Sequence, residues 1–258
     1  MDKALRTHIL ETLEKGMRLD GRKATELRKV KVETGISKNA EGSAKVMIGE
    51  TEIIVGVKTG IETPYDDTPE SGNLMVNAEL LPLSNPEFES GPPSVDSIEI
   101  ARVIDRGIRE GNAIDVKKLC IKKGEKVWSV MIDIIPINDA GNIMDAASLG
   151  ALAALKDAKF PEVNKDLEID YKKRSKNKIP LKQEPLAVTV YKIGDHLIVD
   201  PTIQEQNSYD ARLTTAFLPN GELVAMQKGG DAALTSEEIG KMIDVAQKAE
   251  KEMRATLG

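Results

Sequence analysis

Cysteine is nearly absent from this chain: Cys120 is the only one in 258 residues, which excludes an intrachain disulfide and any cysteine-rich zinc site. Flanked by Leu119 and Ile121, it is expected to serve as a small buried hydrophobe and not as a nucleophile. Histidine is almost as rare, with only His8 and His196, so the commonest general base is in short supply. Aromatic residues make up 3% of the chain, too few for the stacking platforms of single-strand binders. No apolar run reaches the roughly 18 residues that a membrane-spanning helix needs. The N-terminal MDKALRTHILETLEKG is charged and amphipathic, without the apolar centre of a signal peptide. A cytoplasmic protein with no membrane contact is therefore expected. Phosphate-binding G-x-x-x-x-G-K-[ST], dinucleotide-binding G-x-G-x-x-G, the G-x-S-x-G elbow and H-E-x-x-H are all missing. A formal net charge of −6 rules out a surface that attracts polyanions everywhere, so any nucleic-acid contact must be local.

What is present is led by GPPSVDSIEIARVIDRGIREG, from Gly91 to Gly111. Pro92 and Pro93 exclude a helix interior, Asp96 with Glu99 forms a candidate capping box, and Gly111 is a natural stop. Between these signals Ile100, Val103, Ile104 and Ile108 have the spacing of a buried stripe, while Arg102, Arg106 and Arg109 recur at i, i+4 and i+7 on the polar side. Guanidinium groups carried on one rigid face can grip successive phosphates bidentately. The alternative is a solvated face on which Asp105 and Glu110 pair locally.

Elsewhere the chain reads as two successions of strands closed by helices. Val30 to Ile36 alternates as a strand, Glu41 to Lys58 forms two strands about Gly49-Glu50, and Asn73 to Leu81 forms another. Lys126 to Pro136 is apolar on both faces and suits a central strand, and the alanine-rich run Met144 to Lys159 predicts a deeply packed helix. Asp170 to Lys178, DYKKRSKNK, carries five basic residues without periodicity and reads as a solvated linker, with a nucleic-acid patch as its functional alternative. From Pro185 the strands resume, and Thr235 with Glu238 caps a closing helix carrying Ile239, Met242, Ile243, Ala246 and Met253. An α+β fold of two related βα halves follows, with residues 1–178 holding the N-terminal helix, the first half and the linker, and 179–258 the second half. Lys122, Lys123 and Lys126, around the turn at Gly124, read as solvated. Asp139 to Asp145, DAGNIMD, is the one place where a glycine-containing turn meets a helix start able to receive an anion.

The ordered set of DGRK (Asp20 to Lys23), EGSAKVMIGETEIIVGVK (Glu41 to Lys58), IEIARVIDRGIRE, the DAGN turn and a helix-closed second half resembles the RNase PH family of phosphorolytic exoribonucleases. The likeness runs from about Met17 to the C-terminus. PYDDTPESGNLMVNAELLPL, FESGPP and the N-terminal helix are most similar to the non-catalytic RNase PH-like subunit of the archaeal exosome. The resemblance implies an RNase PH-like fold of the ribosomal protein S5 domain 2-like class. It implies a partner too: a catalytic sister subunit in a ring of three heterodimers, with RNA-binding cap proteins and single-stranded RNA. No cofactor is implied for this chain.

Departures from the family pattern decide what the resemblance means. Active members hold the attacking phosphate with a glycine-threonine-arginine-threonine turn, where this chain has Gly141, Asn142, Ile143 and Met144. They also carry two aspartates six residues apart for acid chemistry and a divalent ion, which an ungapped alignment places at Gln206 and Arg212. Gln206 donates no acidic proton and Arg212 repels a cation, so no catalytic or metal-binding residue is expected. The resemblance assigns Arg102 and Arg106, and less firmly Arg109, to RNA held in the sister's site. A divergent active ribonuclease using Asp200, Asp210 or Glu205 is the competing enzyme reading. A small-molecule enzyme or scaffold that kept only the fold is the third.

Overall fold

The computed structural model describes residues 3–257 as alternating sheets and helices. An N-terminal helix α1 (Lys3–Glu14) precedes β1 (Val30–Thr34), β2 (Gly42–Ile48), β3 (Thr51–Glu62), β4 (Asn73–Ala78) and the arginine helix α2 (Val95–Glu110). Next come the short β5 (Cys120–Lys122), the long β6 (Lys126–Asn138) and α3 (Ile143–Asp157). The first sheet has the order β1-β2-β3-β6-β4, antiparallel except for β4 beside β6, and β5 hangs on β6. The run expected to be the central strand, β6, is an interior strand between β3 and β4, one place from the middle, and its side chains alternate between a buried and a half-buried face.

A hairpin of β7 (Lys159–Val163) and β8 (Ile169–Lys178) stands between the halves as its own two-stranded sheet. This corrects the expectation of a linker over Asp170 to Lys178: the whole segment is strand, paired antiparallel to β7. Periodicity failed to announce it because the register slips twice and nearly every side chain on β8 is solvent-facing. The second half contains β9 (Leu186–Ile193), β10 (His196–Val199), a single-turn α4 (Ile203–Gln206), β11 (Ala211–Phe217), β12 (Leu223–Gly229) and the closing α5 (Ser236–Arg254). Its sheet runs β10-β9-β11-β12, all antiparallel.

Between the two sheets lies α3, buried at every position from Ile143 to Leu155. Small side chains let it fit there. A Cβ on Gly150 would come within 2.6 Å of the Val55 Cγ2 on β3, so glycine permits the close approach of helix to sheet. On the far side Ser148 Oγ accepts a hydrogen bond from the Ala187 N–H at the start of β9, tying the helix to the second sheet. Helix α2 lies beside α3, burying Ile100, Val103, Ile104 and Ile108 as their spacing requires. One apolar core consequently joins residues of both halves, from Val46 and Ile132 to Val188 and Met253.

Three further local expectations need correction. Helix α2 starts from Ser94, whose hydroxyl accepts from the Ser97 N–H, and Asp96 lies inside the first turn. Cys120 is only partly buried, because it sits on the short edge strand β5. Helix α1, which precedes the first half in the chain, packs on the second: Ile9 and Leu13 join Tyr191, Ile193 and Ile198 in a separate apolar cluster. Arg6 secures it there through a paired hydrogen bond to the Asp210 carboxylate at 2.9 and 3.0 Å.

Candidate functional site

The DAGN turn is built by ion pairs that reach across the chain. Arg28, just before β1, donates to the carbonyls of Ala140 and Gly141 at 2.8 and 3.0 Å and to the Asp200 carboxylate at 2.6 Å. Asp200 also receives Arg22 of the DGRK segment and the Asn142 amide, each at 3.0 Å. Burial alone would raise the Asp200 carboxyl, but the Arg28 hydrogen bond and charge hold it below the usual carboxylate range. Gly141 has φ +91, and a Cβ there would lie 2.5 Å from the Pro201 carbonyl oxygen. Only glycine lets this turn press so closely against the segment leading into α4.

Pressing the turn onto α4 delivers Gln206 to it: the Gln206 Oε1 accepts the Asn142 N–H at 2.8 Å. Arg212, on β11, comes to the same place and pairs with Glu99 of α2 at 2.6 Å. Ile143, Gln206 and Arg212 thus line one cleft of about 260 Å³, together with Asp139, Tyr191 and Tyr209. Three positions that the alignment singled out separately are neighbours in space. Isoleucine offers an anion no charge or hydrogen bond, and one backbone N–H that could greet an anion is already taken by Gln206. The divalent ion implied by the family finds no fit beside Arg212 either, since the guanidinium lining this cleft repels a cation. No group of three or more His, Cys, Asp or Glu side chains capable of holding a metal exists among the described residues.

Carboxylates of the competing enzyme reading are engaged elsewhere. Asp200 is fully buried under Arg22 and Arg28. Glu205 is buried against Arg18 and also closes the α4 capping box. Asp210 faces away to Arg6 and to the Gly194 N–H. None of the three lines the cleft, nor do His8 and His196.

One group in this region was not singled out by sequence. Asp145, in the first turn of α3, is completely buried, and neither carboxylate oxygen makes a hydrogen bond of acceptable geometry. Burial pushes its pKa up to about 7, moderated by nearby Thr189 and Asn142. A carboxylate at the apolar start of an alanine- and leucine-rich helix was the available signal.

The arginine row lies outside the cleft, along an open groove of about 660 Å³ between α2 and β12. Arg102 is exposed and makes no hydrogen bond or ion pair among the described residues, and Arg106 makes one contact, to Gln227 at 3.2 Å. Arg109 instead binds Asp105 at 2.7 Å and the Leu74 carbonyl, fastening the helix to β4. Glu99 lines both groove and cleft.

The comparisons with known proteins match this architecture along nearly its whole length. The pattern of domain 1 of the 3′ exoribonuclease family covers residues 26–161, and that of domain 2 covers 183–249. The chain belongs to the RNase PH family. A relative from Methanocella arvoryzae, named exosome complex component Rrp42, is 44% identical over 98% of this chain and 95% of its own. Among RNase PH-fold structures, a chain of the Archaeoglobus fulgidus exosome with RNA bound to the active site is 41% identical, with TM-score 0.91, covering 99% of this chain and 98% of that one. A chain of an archaeal exosome core has TM-score 0.86 at 38% identity, covering 98% and 96%. The α+β RNase PH-like fold expected from the sequence is therefore borne out.

Proposed function

We propose that this chain is the non-catalytic subunit of an archaeal exosome core, a 3′ to 5′ phosphorolytic exoribonuclease. It alternates with a catalytic RNase PH-like sister in a ring of three heterodimers, beneath RNA-binding cap proteins in the cytoplasm. The observation that carries this reading is the cleft in which Ile143, Gln206 and Arg212 meet. Where the family's chemistry calls for an anion clamp, an acid and a metal ligand, this chain offers an apolar group, an amide and a cation. Its contribution is instead Arg102 and Arg106, held unneutralised on a rigid helix where a neighbour's RNA can meet them. Arg109 supports that helix from β4.

Reconstitution tests the proposal. The pure chain, supplied with magnesium, inorganic phosphate and an oligoribonucleotide, is expected to release no nucleoside diphosphate. Mixed with the catalytic sister, it is expected to form a closed ring by light scattering and to raise activity above that of the sister alone. Release of nucleoside diphosphate by the pure chain, abolished in D200A or D210A, overturns the non-catalytic assignment. Separate elution of the two chains at micromolar concentration overturns the ring.

A further inference from the structure

Strand β8 has a structure that its position between the halves does not require. Its pairing with β7 matches Glu162 to Asp170, Pro161 to Arg174 and Lys159 to Lys178. Between consecutive partners, β8 therefore holds two segments with few or no residues opposite them: 171–173 and 175–177. These segments carry Tyr171, Lys172, Lys173 and Lys176. A bulge frees side chains from the pleat and re-aims them outward. Here it turns a basic run toward solvent.

The run is anchored at Arg174 and mostly without ion-pair partners. Arg174 donates to the Ser37 and Ala40 carbonyls, fastening the hairpin to the segment before β2. Lys173 has a distant partner in Asp170 at 3.6 Å, but Lys172, Lys176 and Lys178 make no ion pair among the described residues. Beside them the Tyr171 ring is 52% exposed, with the Lys58 ammonium 4.9 Å from its centroid. In a chain of net charge −6, cations concentrated on one strand around a half-exposed aromatic ring have a specific complement. It is a polyanion that also presents flat rings.

We infer that the exposed side of the bulged strand β8 is a second single-stranded RNA site, in which Lys172 and Lys176 of the bulges and Lys178 at the paired end contact backbone phosphates and Tyr171 stacks on a base. It rests on the RNA-degrading reading above but lies apart from the α2 groove, so it engages RNA extending beyond the segment held at α2. Lysines and bulges also occur on edge strands as protection against aggregation. An exposed aromatic ring opposes that purpose and suits stacking on a base, which is why RNA is the favoured occupant.

The test uses the assembled ring and fluorescent single-stranded RNAs, one short enough to fill only the α2 path and one much longer. Replacing Lys172, Lys176 and Lys178 together by glutamine is expected to weaken binding of the long RNA only. The slope of log affinity against log salt should fall by about 0.7 per contact, roughly two in all. The corresponding triple arginine variant is expected to bind long RNA as the original does. Tyr171→Ala is expected to weaken long RNA about fivefold or more with the salt slope unchanged. The Arg102/Arg106 double variant should weaken both RNAs, which separates failure of one site from failure of the other. Unchanged affinity and slope for long RNA in the triple glutamine variant overturn the inference. If that variant also self-associates, edge protection is the function of the lysines.

Discussion

Two buried carboxylates near the DAGN turn show how environment divides identical groups. Asp200 has three cationic or amide donors and stays ionised, whereas Asp145, in the first turn of α3, has no cationic partner and is pushed up to about 7. In the unfolded chain Asp145 ionises near its ordinary value of 3.8. Between those two values the folded protein binds the extra proton, so stability falls as pH rises through the interval and stays low above it. Asp145→Asn is nearly isosteric and never ionises. It is expected to stabilise the protein by up to about 4 kcal/mol near pH 8, taking about 1.36 kcal/mol per pKa unit, and by little near pH 4. Denaturant titrations at both pH values measure the difference. A variant less stable than the original near pH 8 would show that the carboxylate makes bonds worth more than its desolvation.

At the scale of elements, helix α2 separates support from contact. Its buried face carries Ile100, Val103, Ile104 and Ile108, and its solvent face carries Arg102 and Arg106. Removing both arginines to alanine therefore leaves the packing untouched, and alanine is a better helix former than either loss demands. We expect the double variant to assemble normally and to bind RNA more weakly, with the salt slope reduced by about 1.4 for two phosphate contacts. Because these groups grip RNA away from the reacting phosphate, KM should rise more than kcat falls. An intact ring with unchanged RNA affinity and slope would refute the clamp. Arg109 behaves differently, since its loss frees the Leu74 carbonyl and loosens α2 from β4.

The molecule as a whole is not two independent halves in series. Helix α3 is buried between the two sheets, and α1 lies on the second half while its chain leads into the first. Arg18, Arg22 and Arg28 continue that lacing, reaching Glu205 and Asp200 from the N-terminal segment. A shared core of this kind couples unfolding of one half to the other. Calorimetry is expected to show one cooperative transition, and residues 179–258 expressed alone should lack a fixed fold. Two separable transitions, or a folded C-terminal piece, would show that the halves are independent. The same lacing holds the DAGN turn and α4 in place, with Arg18 on Glu205, Arg22 and Arg28 on Asp200, and Arg28 on the Ala140 carbonyl.

Sequence by itself determined the parts whose physics is local. The arginine helix, the Thr235–Glu238 capping box on α5, the strand β6 and the depth of α3 were all legible, because periodicity and capping act within a few residues of one another. The ordered motifs also carried the family. Even so, local signals misled at Asp96, where Ser94 had an equally good hydroxyl two residues earlier, and at β8, where bulges erased the alternation. Only the tertiary structure decided that Ile143, Gln206 and Arg212 meet in one cleft, that Asp200 is taken by Arg28, and that α1 belongs to the second half. Those contacts join residues many tens of positions apart, and burial and charge pairing at such separations depend on how the sheets stack, which no local pattern encodes.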